Sequence, residues 1–195
     1  MPIPQVNKQT FSGGTIAVNR RAVRLEDGLE DAREGVLAML GLGEENPSNA
    51  GAVIRFRQDA SLLPGQYRID ADQTEVSVEA GDCAGAVYAA ATIAQLCAEY
   101  GGAMPCGETE DAPVSAWRGF LIDVCRHFFP LQTLKTLVDL MAYYKYNRLH
   151  LHLSEDQGFR FESERFPLLN SVGSYRNSTV VKRGGRLPRT ERAVR

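Results

Sequence analysis

The sequence predicts an α+β domain followed by the start of a parallel α/β unit. Residues 1–105 alternate between strand-like runs and stretches with helical spacing, a pattern typical of a sheet covered by helices. Residues 101–115 are rich in Gly, Pro and acidic residues, which predicts a linker over residues 106–117. Residues 118–176 begin with strand, helix and strand, the order of a βαβ unit, and a tail over 177–195 follows.

The strands of the first domain are indicated by alternating or β-branched runs. Residues 14–24 predict one or two strands, and residues 51–57 predict another. Two alternating runs within residues 65–80 predict a hairpin. Because a short turn joins antiparallel neighbours, we expect the sheet to be antiparallel.

Two helices are expected on one face of that sheet. Apolar residues at helical spacing over 27–43 predict the first, and the glycines at its end suit a helix stop. Asp82 is a suitable N-cap for the second, an alanine-rich helix that Gly101 and Gly102 end. Its small side chains would allow the second helix to lie close to the sheet.

The second unit opens with a nearly continuous apolar run over 118–124, as expected of a strand buried on both faces. Pro130 suits the first turn of a helix, and leucines at helical spacing follow it. Residues 148–154 predict a second strand. Because a helix connects the two strands, we expect them to be parallel.

Composition excludes several classes of protein. The net charge of -2 gives no general attraction to nucleic acid or to a membrane. No apolar run has the length of a membrane helix, and the first residues lack the pattern of a secretion signal. The cysteines show no CxxC spacing, which predicts reduced thiols and a cytoplasmic protein. They are Cys83, Cys97, Cys106 and Cys125.

Ionisable residues follow both strands of the predicted βαβ unit. Asp123, Arg126 and His127 come after the first strand, and Glu155 and Asp156 come after the second. Ligands of parallel sheets and barrels bind at the carboxyl ends of the strands, so these residues predict a binding or catalytic site. Helix capping and solvated loop charge are the alternative interpretation of the same residues.

His150 and His152 lie one residue apart on the second strand, so alternation places both on one face. Three interpretations are open. Both can be interior residues that donate hydrogen bonds to their neighbours, both can bind a divalent metal together with carboxylates, or they can act directly in catalysis. A zinc enzyme needs at least three protein ligands, and His127 is the only other histidine.

Three quoted segments carry a resemblance to a known family. They are "RGFLIDVCRHFFP", "YYKYNRLHLHLSEDQGFR" and the later "GSYR", and they occur in order between residues 117 and 176. Together they resemble the opening of the catalytic barrel of glycoside hydrolase family 20, the β-N-acetylhexosaminidases. The preceding α+β domain resembles the non-catalytic domain of that family. The resemblance implies that residues 118–176 are the first βαβ of a (β/α)8 barrel.

The resemblance also implies a reaction and roles for residues. The substrate's own 2-acetamido group acts as the nucleophile, and neither a metal nor another cofactor takes part. Arg126 matches the arginine that holds hydroxyls of the terminal sugar, and Glu155 matches a carboxylate that supports catalysis from a position where many members carry Asp. The remaining matches are expected to orient and balance charge at the barrel mouth. They are Asp123, His127, His150, His152 and Asp156.

The Asp-Glu pair that the resemblance assigns to a later barrel strand does not follow either strand of this chain. We therefore expect the chain to be part of an enzyme acting on N-acetylhexosamine-terminated glycans and to be inactive alone. Its unclosed parallel strands predict self-association through a sheet edge. The basic tail 177–195 predicts disorder. A non-catalytic binding or interaction module is the alternative function.

Overall fold

The computed structural model describes residues 1–18, 22–26, 28–42, 53–175, 178–181 and 185–188. The chain divides into two compact units. The first contains Met1–Ala116 together with Tyr143–Lys145, and the second contains Trp117–Ala142 and the chain from Tyr146 onward. Among the described residues, no helix combines the length and the apolar character needed to cross a membrane.

The first unit is a six-stranded sheet with two helices. Its strands are β1 (Lys8–Ala17), β2 (Ala22–Leu25), β3 (Val53–Gln58), β4 (Tyr67–Ala71), β5 (Glu75–Ala80) and β6 (Ala103–Asp111). Its helices are α1 (Arg33–Met39), which follows a 3₁₀ turn (Glu30–Ala32), and α2 (Cys83–Glu99). The strand order is β1-β6-β4-β5-β3-β2. The predicted strands, hairpin and two helices are therefore present.

The expectation of an antiparallel sheet is wrong for two of its five strand pairs. Strands β1, β6, β4 and β5 pair antiparallel, but β3 lies parallel to both β5 and β2. The connection from β2 to β3 contains α1, and a crossover of this kind is what parallel neighbours require. The sheet is mixed because β2, α1 and β3 form a βαβ unit of their own.

Helix α2 packs closely on the sheet, as its small residues predict. Asp82 caps the helix, since its Oδ1 accepts a hydrogen bond of 2.8 Å from the backbone N–H of Gly85. A Cβ added at Gly85 would lie 2.6 Å from the carbonyl oxygen of Gln66, so the glycine allows this approach. Ala86, Ala89 and other small residues of α2 complete a core with alternate residues of the strands.

The predicted linker over 106–117 is wrong for residues up to Asp111, which belong to β6. Strand β6 pairs with β1 on one side and with β4 on the other. Its residues alternate, so Thr109 and Asp111 are buried while Glu108 is exposed on the open face of the sheet. The acidic composition indicated a linker here because the acidic Glu108 and Glu110 lie on the more exposed side of the strand, alternating with the buried Thr109 and Asp111.

A buried charge pair lies in the first unit. The Nζ of Lys145 is 3.1 Å from Oδ2 of Asp111 and donates a hydrogen bond of 2.8 Å to the hydroxyl of Tyr67. The Tyr67 hydroxyl is also 2.9 Å from Asp111 Oδ2 and 2.6 Å from the hydroxyl of Thr92. Burial, together with the charge of Asp111, raises the pKa of Tyr67 well above its ordinary value. Lys145 adopts a left-handed backbone conformation with φ of 62°.

The second unit contains the predicted strand, helix and strand, followed by shorter elements. They are β7 (Gly119–Asp123), α3 (Leu131–Tyr143), β8 (Arg148–His152), β9 (Ser154–Glu155), β10 (Gly158–Phe159), α4 (Leu168–Ser171), β11 (Ser178–Val181) and β12 (Gly185–Pro188). Strands β7 and β8 are parallel, as predicted. Strands β9 and β10 form a small antiparallel hairpin.

Two expectations for the second unit are corrected. Strand β7 is not buried on both faces, because among the described residues it pairs with β8 alone, and Phe120 and Leu121 are exposed. The tail over 177–195 is not wholly disordered, since β11 and β12 pair as an antiparallel hairpin. The β-branched Thr179, Val180 and Val181 favour a strand there. The other tail residues lie outside the described part of the chain.

Candidate functional site

The loop after β7 is organised by Asp123. Its Oδ1 accepts hydrogen bonds of 3.0 Å from the backbone N–H groups of Cys125 and Arg126. Its Oδ2 accepts a bond of 2.6 Å from Nη1 of Arg126. Burial alone would raise the pKa of Asp123, but the hydrogen bonds from Arg126 and Cys125 outweigh burial and lower it. Asp123 therefore stays ionised and fixes both the backbone and the side chain of Arg126.

Glu155 holds the other side of the Arg126 guanidinium. Its Oε1 lies 3.2 Å from Nη2 of Arg126, and its Oε2 accepts a bond of 3.3 Å from the backbone N–H of Gln157. The hairpin of β9 and β10 places Glu155 at this position. The hydrogen bond to Asp123 and the charge of Glu155 raise the pKa of Arg126. Because the Arg126 side chain remains 56% exposed, a ligand can reach the guanidinium.

The pairing of β7 with β8 brings His152 next to Asp123. Asp123 is the parallel partner of His152 in the pairing of β7 with β8. The thiol of Cys125 donates a hydrogen bond of 3.2 Å to the carbonyl oxygen of His152. The Nε2 of His152 is buried and has no hydrogen-bond partner among the described residues. Burial, and then the negative charge of Asp123, raise the pKa of the Cys125 thiol.

Arg160 contacts the loop after β7, and no pattern in the sequence predicted this role. It is 5% exposed, its Nε donates to the carbonyl of Val124 at 3.0 Å, and its Nη1 donates to the carbonyl of Ser174 at 2.7 Å. Its guanidinium also lies over the Phe128 ring, 5.4 Å from the centroid. The available signal was its position in "GFR", which follows the acidic pair after one intervening residue, Gln157. The hydrogen bond to Val124 and the contact with the Phe128 ring hold residues that precede and follow Arg126 in the chain.

The structure does not bring all the predicted residues together. Asp123, Arg126 and Glu155 are joined by ion pairs, and His152 adjoins Asp123. His127 is exposed and packs its ring against Phe129, with centroids 4.8 Å apart. His150 and Asp156 are exposed.

The interpretation in which His150 and His152 bind one metal ion together does not match the arrangement of the side chains. Among the described residues, one group of side chains could share a cation. It consists of Asp123, Cys125 and His152, whose ligand atoms all lie within 4.8 Å of one another. His150, opposite Leu121 in the register, is outside this group.

Comparison with protein families gives matches over both units. Residues 3–112 match "Glycosyl hydrolase family 20, domain 2", and residues 116–192 match "Glycosyl hydrolase family 20, catalytic domain". The second match extends through most of the basic tail.

Curated relatives are hexosaminidases. The chain is 41% identical over 122 residues to a beta-hexosaminidase of Akkermansia muciniphila, covering 61% of this chain and 25% of the relative. It is 41% identical over 130 residues to a beta-N-acetylhexosaminidase of Cellulomonas fimi, covering 64% of this chain and 26% of the relative. The chain thus spans about a quarter of the length of these relatives.

Solved structures are similar in fold. The GH20 beta-N-acetylhexosaminidase of Streptomyces coelicolor A3(2) superposes with a TM-score of 0.74 at 31% identity, over 95% of this chain and 40% of that one. A GH20 exo beta-N-acetylglucosaminidase of Vibrio harveyi, in complex with N-acetylglucosamine, gives a TM-score of 0.76 at 26% identity, over 89% and 28%.

Proposed function

This chain belongs to glycosyl hydrolase family 20, and from that premise we propose that it forms the N-terminal part of an exo-β-N-acetylhexosaminidase. The enzyme would remove terminal N-acetylglucosamine or N-acetylgalactosamine from glycans. The observation that carries the proposal is the exposed guanidinium of Arg126, held between Asp123 and Glu155 at the carboxyl end of β7. The four free thiols support a reducing compartment, so we place the protein in the cytoplasm.

Arg126 is proposed to hold hydroxyl groups of the terminal sugar. A guanidinium presents its N–H donors in a planar fork, which suits two neighbouring hydroxyl oxygens. Asp123 uses Nη1 and Glu155 uses Nη2, so the orientation of the fork is set before the sugar arrives. Preorganisation of this kind removes the entropic cost of ordering a long side chain upon binding.

Glu155 is proposed to act through Arg126 as well as by supporting the catalytic acid. The additional methylene of Glu, relative to Asp, extends the carboxylate from β9 toward the loop after β7. In this structure it meets Arg126 at 3.2 Å. Glu155 is thus a positioning residue for the sugar-binding arginine.

The proposed reaction is hydrolysis with retention, assisted by the substrate. The carbonyl oxygen of the 2-acetamido group attacks the anomeric carbon, the glycosidic C–O bond breaks, and a general acid protonates the departing oxygen. Water then opens the oxazolinium ion. The residues described above bind and orient the sugar, and none of them is assigned the role of the general acid. We therefore expect no turnover of a nitrophenyl N-acetyl-β-glucosaminide by the isolated chain.

A chimera tests the proposed function. Residues 1–175 would replace the corresponding region of the Streptomyces coelicolor enzyme, and hydrolysis of the nitrophenyl substrate would be measured. We expect an active chimera in which Arg126→Lys lowers kcat/KM by about 10- to 100-fold, since a charge-assisted fork is lost.

Arg165→Lys is the matched control, because this arginine stacks on the Phe166 ring and belongs to the same unit. It should leave kcat/KM within about twofold of the parent chimera. A folded chimera without activity would contradict the proposed function. Equal effects of the two substitutions would contradict the role given to Arg126.

A further inference from the structure

We propose that Asp123, Cys125 and His152 form a binding site for a zinc ion. A carboxylate oxygen, a thiol sulfur and an imidazole nitrogen lie within 4.8 Å of one another. These three groups are ligands that zinc commonly takes in proteins. The site does not include His150 or His127.

The backbone builds this arrangement from two strands. Parallel register places Asp123 of β7 beside His152 of β8. The turn that Asp123 caps then carries Cys125 back to the end of β8, where its Sγ lies 3.2 Å from the carbonyl oxygen of His152. The three ligands thus come from positions fixed by strand pairing and by a hydrogen-bonded turn.

A buried imidazole nitrogen points to a missing partner. The Nε2 of His152 has no hydrogen-bond partner among the described residues, although it is shielded from water. A buried polar atom in this state costs free energy that a hydrogen bond or a metal ion would offset. A zinc ion would use the lone pair of the neutral imidazole.

The bonds, protons and charges of zinc binding can be accounted for with the three side chains and water. Zinc forms bonds to an Asp123 oxygen, to Cys125 Sγ and to His152, and a water molecule takes the fourth position. The proton of the Cys125 thiol leaves to solvent, so two negative ligands balance the charge of the ion. With metal–ligand bonds of about 2.0–2.3 Å, tetrahedral ligands are about 3.3–3.7 Å apart. The three side chains therefore need to approach by roughly 1 Å.

Arg126 competes with the ion for Asp123. Its Nη1 already donates to Asp123 Oδ2 at 2.6 Å, and a zinc ion at that carboxylate would repel the guanidinium. Removing the guanidinium should therefore strengthen zinc binding. If Arg126 holds the sugar as proposed above, zinc would also inhibit the intact enzyme, but the existence of the metal site does not depend on that function.

Cobalt is the probe for the first experiment. The purified 195-residue chain is titrated with Co²⁺, whose thiolate charge-transfer and visible bands report ligand type and geometry. We expect one equivalent to bind with a thiolate band, and Zn²⁺ to displace it. Cys125→Ser should abolish the band and weaken binding by about 100-fold, whereas the control Cys83→Ser should leave both unchanged. Arg126→Ala should tighten binding by about tenfold.

A second measurement needs no variant. X-ray absorption of the zinc-loaded chain should show one sulfur at about 2.3 Å, with nitrogen or oxygen atoms completing the shell. A first shell without sulfur, a thiolate band that survives Cys125→Ser, or unchanged binding in Arg126→Ala would overturn the proposal.

Discussion

At the scale of single residues, Asp123 is the group on which the site depends. It accepts two backbone N–H bonds and pairs with Arg126, so its contribution has one part that needs only an acceptor and another that needs a charge. Asparagine keeps the acceptor and loses the charge, and alanine loses both. The two substitutions therefore separate the turn from the ion pair.

We expect Asp123→Ala to lower the free energy of unfolding of the second unit by about 1–2 kcal/mol at neutral pH, and Asp123→Asn by less. Trp117, the only tryptophan, reports this unit by its fluorescence during urea unfolding. Equal losses for Asn and Ala would mean that the charge rather than the turn is what matters.

The Asp123 contribution should also depend on pH. Its pKa is lowered in the folded chain, so the stabilisation is complete above the unfolded value of about 3.9 and is lost as pH falls through the lowered folded value. The difference in unfolding free energy between the wild type and Asp123→Asn should therefore shrink below about pH 4. A difference that stays constant from pH 6 to pH 3 would contradict this linkage.

Lys145 gives a second prediction at this scale. Lys145→Met would leave Asp111 buried without its cation and should cost the first unit about 3–5 kcal/mol. Hydrogen exchange in peptides from β4 and β6 measures the loss, because Tyr67 and Asp111 lie on those strands. The double variant Lys145→Met with Asp111→Asn should recover part of it, since no uncompensated charge remains. Lys135→Met is the control, because Lys135 occupies an exposed position of α3, where loss of the charge should not change exchange in β4 and β6.

At the scale of elements, the sequence predicted features that depend on neighbouring residues better than it predicted the pairing of distant strands. The Asp82 cap, the hairpin of β4 and β5 and the parallel β7 and β8 follow from turns, caps and crossovers that act over short distances. The parallel pairing of β3 with β5 could not be predicted, because it depends on which edge of a completed hairpin remains available. Strand β6 was missed since its outward side is acidic.

The same distinction applies to the site. Residues after the strand ends predicted Asp123, Arg126 and Glu155 as neighbours, and the structure joins them. The roles of Cys125 and Arg160 rest on contacts with backbone carbonyls, which no side-chain pattern reveals. Contacts of this kind appear only when the loop geometry is known.

Helix α2 carries the prediction at this scale. Gly85→Ala improves helix propensity by about 1 kcal/mol but places a Cβ 2.6 Å from the Gln66 carbonyl, so we expect a net loss of about 1–3 kcal/mol. Ala84→Ser, one residue earlier and exposed, should change stability by less than about 0.5 kcal/mol. Urea unfolding followed by circular dichroism compares the two, and a stabilised Gly85→Ala would show that α2 can move away from the sheet.

At the scale of the whole molecule, the two units differ in how far their apolar side chains are buried. The first unit buries a continuous core between one face of its sheet and its two helices. In the second unit, exposed apolar residues include Phe120, Leu121, Leu149 and Leu151 on β7 and β8. A two-stranded parallel sheet with exposed apolar side chains offers unpaired backbone edges to another chain.

We therefore expect the isolated chain to self-associate through β7 and β8. Leu121 is 54% exposed, and Leu121→Lys places a charge beside the strand edge, which is a common protection against pairing. Sedimentation should show association of the wild type at micromolar concentrations and about tenfold weaker association of Leu121→Lys. Val114→Lys is the matched control, because Val114 is 99% exposed and belongs to the first unit. If both variants weaken association equally, general charge repulsion explains the effect. If neither does, contact through β7 and β8 is excluded, and the apolar side chains of these strands tolerate water without a partner.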